Sequence, residues 1–260
     1  MAPKPLRQGI DAVASTVTPP LVDLLREIRR SLVYLKSIGC TGFDCSAEGV
    51  AMVAQLGVGP VAKPAVTAAP VSATSPETLD QVRADLGECT RCPLCQGRTH
   101  IVFGEGDPKA RLVFVGEGPG FEEDQSGHPF VGAAGQLLTK IIAAMQLSRE
   151  TVYIANIVKC RPPGNRNPQP DEIRACMPFL RRQLAAIRPQ VICALGKVAA
   201  QTLLDTQTSI SRLRGDFHAF MDIPLMPTFH PAFLLRNPER KREVWQDVQK
   251  IMKRLSRPST

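Results

Sequence analysis

The sequence has no long apolar span of the kind that crosses a bilayer, and its start, MAPKPLRQGID, is too polar for an export signal. Both absences predict a cytoplasmic protein with no membrane contact, in which the eight cysteines stay reduced and can hold metal instead of pairing as disulfides. Charge is nearly missing between about Val50 and Pro76, where Ala, Val, Pro, Gly, Ser and Thr dominate and no period is sustained. Such a stretch predicts a linker with poorly defined structure. No histidine stands beside Cys160 or Cys176, which excludes Cys2His2 zinc spacing. Cys40 and Cys45, in IGCTGFDCS, are only two, too few for a second metal site.

What is present begins with Cys89 and Cys92 in CTRC. They are followed by Cys160, 68 residues beyond Cys92, and by Cys176, 16 further on. Two cysteines three apart rarely both serve as packing, so the four thiols are predicted to converge on one centre. An all-thiolate shell accepts either zinc or a [4Fe-4S] cluster, and the spacing does not choose between them. A net charge of +8 and a pI of 9.3 suit an anionic partner, nucleic acid being the commonest for such a protein.

With 260 residues and 43% hydrophobic content, the chain can bury one substantial α/β core, yet its first third does not resemble part of it. In residues 19–39, Leu21, Leu24, Leu25, Ile28, Leu32 and Leu35 recur at three-to-four spacing, which predicts one amphipathic helix in search of a partner face. We therefore expect an N-terminal extension over 1–45 that can meet a protein partner, a linker over 46–77 and one folded domain over 78–257.

Within that domain, RLVFV (Arg111 to Val115), VYIANIV (Val152 to Val158), QVICAL (Gln190 to Leu195) and PLMPTF (Pro224 to Phe229) predict short strands. Helical patterns follow at Ala133 to Met145, Pro170 to Ile187, Lys197 to Leu204 and Arg240 to Leu255. Strand–helix alternation implies a three-layer α/β/α sandwich around a short, mainly parallel four-stranded sheet. Ligands of such sheets bind beyond the carboxyl ends of the strands. That rim would gather GEGPG (Gly116 to Gly120), Asn156, Cys160, Gly196 and the FHP of Phe229 to Pro231.

Each signal has a bland counterpart. GEGPG can cradle a ligand with its backbone at Gly116 and Gly118, or be a tight turn; Glu117 inside it repels anions and suits cation stabilisation or water positioning. His230 is a buried histidine or a proton donor, and Phe130 is core or a base-stacking platform. Asn156 is harder to dismiss, because an amide among apolar neighbours costs stability unless paired, and its donor and acceptor together match a nucleobase edge.

Taken together, CTRCPLCQGRTHIVFGEGDPKARLVFVGEGPGFEEDQSGHPFVGAAGQLL, ANIVKCRPPGNRNPQPDEIRAC, RLRG and TFHPAFLLRNP resemble the iron-sulfur (type 4) uracil-DNA glycosylase family over about Cys89 to Asn237. The resemblance implies a [4Fe-4S] cluster on Cys89, Cys92, Cys160 and Cys176, with Cys95 left over, and excision of uracil from single- or double-stranded DNA by a monomer near the nucleoid. It implies Phe130 stacking the extruded base and Asn156 reading it. His230 is then the donor at uracil O2, and Glu117 the carboxylate near the sugar and its water. Glu123 is a secondary candidate beside the base. Arg161, Arg166 and Arg236 are candidates for phosphates, and Leu234 or Leu235 for a wedge. The absence of histidine and insertion between Cys160 and Cys176 favours turnover over the covalent trapping of a related branch. A rival expectation is a non-catalytic iron-sulfur nucleic-acid-binding accessory module, and another is a zinc-stabilised nucleotide hydrolase.

Overall fold

The computed structural model describes residues 77–256. The extension, the linker up to residue 76, the amphipathic pattern of 19–39 and Cys40 and Cys45 lie outside the described residues. No helix among the described residues is long and apolar enough to cross a membrane.

Strands β1 (Glu105–Gly106), β2 (Leu112–Gly116), β3 (Tyr153–Asn156), β4 (Val191–Leu195), β5 (His218–Phe220) and β6 (Ile223–Thr228) form one sheet in the order β1-β3-β2-β4-β6-β5. The central β3-β2-β4-β6 set is parallel, as the strand–helix alternation requires, and β2, β3 and β4 are buried on both faces. The sheet is wider than the expected four strands. β1 and β5 add short antiparallel edges whose two and three residues are too brief to give an apolar period.

Alternation along the strands feeds two cores. Val113, Val115, Ile192 and Ala194 pack against Leu180 and Leu184 of α4 (Pro170–Ile187) and against Ala199 and Leu203 of α5 (Lys197–Leu204). Leu112, Phe114, Val191 and Met226 face the other way, onto Leu138 and Ile142 of α3 (Ala133–Ala144) and Val244, Val248 and Ile251 of α8 (Lys241–Leu255). This is the three-layer sandwich. Outside it, α1 (Leu79–Leu86) starts with a capping box between Thr78 and Gln81, and buries Val82 and Leu86 against Phe179 of α4.

Register brings Gly116 beside Asn156 and Leu195 beside Thr228, so the parallel strands end along one edge. Chain order reverses between β2 and β4, the switch point at which such sheets open a crevice. The remaining helices, α2 (Phe121–Ser126), α6 (Ile210–Leu213) and α7 (Pro231–Arg236), are short; α2 and α7 stand on that edge, directly after GEGPG and after His230.

The RLRG segment has a structural task. Arg214 forms a fork to Asp247 at 3.0 and 2.6 Å, and Thr228, the last residue of β6, donates its hydroxyl to the same carboxylate at 2.6 Å. Asp247 is fully buried, which pushes its carboxyl above the usual range, with Thr228 and Arg214 pulling it back. The network fastens the strand end that carries His230.

Candidate active site

A cleft of about 560 Å³ opens at the carboxyl edge of the sheet, lined by Glu117, Gly118, Phe130, Asn156 and His230 among others. Three segments remote in sequence meet there, 117–134, 156–167 and 230–236. Two backbone bonds fasten the first pair: Ile157 N–H donates to the Gly116 carbonyl at 2.9 Å and Val158 N–H to the Glu117 carbonyl at 3.1 Å. Gly116 must be bare, since an added Cβ would stand 2.4 Å from Asn156 Oδ1 and 2.5 Å from Phe130 Cζ. At Gly118 it would meet Val158 Cγ2 at 2.7 Å.

Asn156 is 1% exposed, and its Oδ1 has no hydrogen-bond partner among the described residues. An orphaned buried acceptor costs about 1–3 kcal/mol, which points to a ligand that supplies the missing donor. Phe130 stands with its ring centroid 5.6 Å from that of His230, tilted by 32°. Its backbone has φ 55°, a left-handed conformation that a phenylalanine seldom adopts. Several bonds hold it there: Glu123 Oε1 accepts the N–H groups of Val131 and Gly132 at 2.9 and 3.1 Å, and Arg149 donates to the Phe130 carbonyl at 3.1 Å. A ring kept in a strained conformation by its neighbours is a placed ring.

His230 caps α7, its Nδ1 accepting the Ala232 N–H at 3.1 Å. An accepting Nδ1 puts the proton of the neutral ring on Nε2, which leaves Nε2–H free to donate. Burial drives its pKa down to about 4, against a raising effect of Glu123 and with a further lowering by Arg236. The ring is therefore neutral at physiological pH. Gly196, at φ 91°, makes room for it, because a Cβ there would come within 2.9 Å of His230 Cβ. Glu117 is half-buried with no partner for its carboxylate among the described residues, and burial raises its pKa.

In a second cavity, which shares no lining residue with the cleft, Cys89, Cys92, Cys160 and Cys176 come together with Lys159, Arg91 and Arg98. Arg98 donates to Cys160 Sγ and Arg91 to Cys89 Sγ, each at 3.4 Å. No three candidate ligands among the described residues close to a single-ion shell. Burial pushes the thiols of Cys92 and Cys176 up, and that of Cys160 to about 11, so a bound cation would have to release their protons. Cys95 does not line the cavity.

A family model described as the uracil DNA glycosylase superfamily matches residues 103–249, more than half of the chain. The chain belongs to the uracil-DNA glycosylase superfamily. It is 47% identical over 181 residues to a Type-4 uracil-DNA glycosylase of Thermotoga maritima, covering 68% of this chain and 94% of that protein. A Type-4 uracil-DNA glycosylase of Archaeoglobus fulgidus is 45% identical over 183 residues, 67% of this chain and 92% of its own. A Type-5 uracil-DNA glycosylase of Pyrobaculum aerophilum is 31% identical over 152 residues, 52% of this chain and 67% of its own. Within the superfamily this chain thus resembles type 4 more closely than that type 5 protein.

The structure corrects one expectation about the cleft, and it gives two other expected residues structural contacts besides their place in the lining. Leu234 is no wedge: it is fully buried with Leu138 and Val244, because the phase of α7 turns it onto α3 and α8 and leaves Leu235 47% exposed. Glu123 lines the cleft, but its oxygens are taken by the N–H groups of Gly120, Val131 and Gly132, which need acceptors at the turn. Arg166 is drawn into a fork to the buried Glu172 at 2.9 and 2.6 Å, with the Oε2 of that carboxylate also accepting the Gln169 N–H at the start of α4. Arg236 is exposed at the cleft, and Arg161 lies 5.0 Å over the ring of Phe121. Sequence reasoning passed over Phe121, for which its place directly after GEGPG was the signal, and over Lys159, for which there was none. Lys159 is fully buried, donating to the Asn156 carbonyl at 2.9 Å and to Gln183 Oε1 at 2.7 Å.

Proposed function

We propose that this protein removes uracil from DNA, hydrolysing the N-glycosidic bond and leaving an abasic site as the first step of base excision repair. The observation that carries the reading is the orphaned Oδ1 of Asn156 in a cleft that also holds a placed aromatic ring and a neutral histidine with a free Nε2–H. Uracil supplies the missing donor through N3–H and accepts from Asn156 Nδ2 at O4, whereas cytosine, with no N3–H and an amino group at position 4, mismatches both. Gly116 leaves the space in which the base slides between Asn156 and Phe130.

As the bond breaks, charge gathers on uracil O2 and on the sugar. His230 Nε2–H donates to O2, and a neutral donor avoids a proton transfer the leaving base does not need. Glu117 faces the developing oxocarbenium and orients the attacking water, its partner-free carboxylate being available for both. Arg236 and Arg161 supply positive charge for the strand at the mouth, with Leu235 as the exposed apolar residue on α7 that can fill the gap left by the base. One copy carries every group the mechanism uses.

Four thiols around a common cavity, two with arginine donors, suit a [4Fe-4S] cluster on Cys89, Cys92, Cys160 and Cys176. Such a cluster supplies a covalent tie between the segment after α1, the loop after β3 and α4. The catalytic domain then spans 78–257, preceded by the 46–77 linker and the 1–45 extension, and works on cytoplasmic, nucleoid-bound DNA.

The test uses an end-labelled oligonucleotide with one uracil, incubated with the protein and treated with alkali. Scission at the uracil alone, lost in N156A, supports the reading. A bound but intact strand would leave the non-catalytic DNA-binding module standing instead.

A further inference from the structure

Phe121 is 57% exposed, a rare condition for a large apolar ring, and it lines the cleft that holds Asn156 and Phe130. It is not loose on the surface. Arg161 lies over the ring at 5.0 Å to the centroid, and Arg161 is itself fixed by donating from Nε to Asn165 Oδ1 at 2.7 Å. The Arg161 cation thus covers Phe121 from one side and still leaves most of the ring open. Asn165, like Phe121, belongs to the cleft lining, so the pair is continuous with the base pocket.

A flat exposed aromatic beside a fixed cation is the combination with which proteins hold unpaired nucleobases. Phe130 cannot serve a second base, because it is buried inside the pocket with His230 against it. Resting on the reading of the cleft as a uracil pocket, we infer that Phe121 and Arg161 form a second base-binding position, a platform for the nucleobase adjacent to the extruded uracil in an unpaired strand. The neighbour stacks on Phe121 while Arg161 offsets the phosphate between the two nucleotides. In a duplex that neighbour is held in its own pair, so the platform favours single-stranded over double-stranded uracil.

The test measures kcat/KM on single-stranded oligonucleotides whose 5′ or 3′ neighbour of uracil is either adenine or a base-free tetrahydrofuran. The wild type should lose roughly tenfold when the base on one side is removed. F121A should start at that lower level and not respond to the removal, and F121W should restore the response. Equal losses in wild type and F121A, or no response in either, would overturn the platform, and F121A lowering only the melting temperature would reduce the pair to a structural pin. A second readout, quenching of 2-aminopurine placed beside the uracil, needs no turnover. Quenching that depends on Phe121 without uracil release would keep the platform and sink the excision reading, while uracil release indifferent to Phe121 and to the neighbour would do the opposite.

Discussion

Asn156 Oδ1 lies 2.4 Å from where a β-carbon on Gly116 would stand, with Phe130 Cζ 2.5 Å from the same point. The absence of one methyl group thus lets the amide edge and the aromatic ring both close on Gly116, whose strand register pairs it with Asn156.

G116A should therefore abolish uracil release while the protein still folds. The methyl cannot fit without moving the amide or the ring, and both moves close the slot. Alkaline scission of a uracil oligonucleotide should fall at least 100-fold, as for a lost transition-state contact, with the circular dichroism spectrum unchanged. Activity near wild type would show that the base does not enter between these two side chains.

N156A separates reading from folding. Its removal takes away a buried acceptor that no described residue satisfies, so thermal stability should hold or rise, by up to about 1 kcal/mol, while uracil release collapses. A variant that melts early would mean that the amide serves the fold.

H230A should cost roughly 100-fold in kcat, the scale of one lost oxyanion donor. Losing the cap of α7 also removes about 1 kcal/mol of stability. H230N, which restores a capping side chain, should recover the melting temperature without the rate.

The pH profile should carry an acid limb from Glu117. Burial raises the Glu117 carboxyl above its ordinary 4.5, and the charged form is the one that faces the cation, so kcat/KM falls as pH drops through that raised value. His230, with a pKa of about 4, titrates below the midpoint of that limb. E117Q should be slower and lose the limb, keeping its residual rate until about pH 4, where His230 takes its proton. A limb centred at the ordinary histidine value that survives in E117Q would show that a charged imidazole was being titrated.

Replacing Cys160 by Ser should remove a broad absorbance at about 400 nm, the thiolate-to-iron band expected of a cluster. It should also lower the melting temperature, because the loop after β3 and α4 lose their common tie. A colourless wild-type protein containing zinc, purified without oxygen, would replace the cluster with a single ion.

Much of this was legible without coordinates, because it depended on local period and order. Strand-like runs followed by helical ones predicted the central parallel sheet, and the ends of α4 and α5 coincide with the expected Pro170 to Ile187 and Lys197 to Leu204. Gly-rich, amide and histidine segments at successive strand ends pointed to one rim, since a parallel sheet sends all its carboxyl ends the same way. Direction and partnership of individual side chains were not legible. Leu234 and Leu235 are identical in sequence, and only the packing of α7 buries one and exposes the other. Glu117 and Glu123 are acids six residues apart, yet Glu123 is consumed by three backbone N–H groups and Glu117 by none among the described residues. The proton on His230 Nε2 is decided by a bond to Ala232, and the open face of Phe121 by the approach of Arg161 from another loop. Local sequence sets which backbone forms and in what order. Which polar atom is left unpaired, and which ring is left bare, emerges only when distant segments compete for the same space and the same hydrogen bonds.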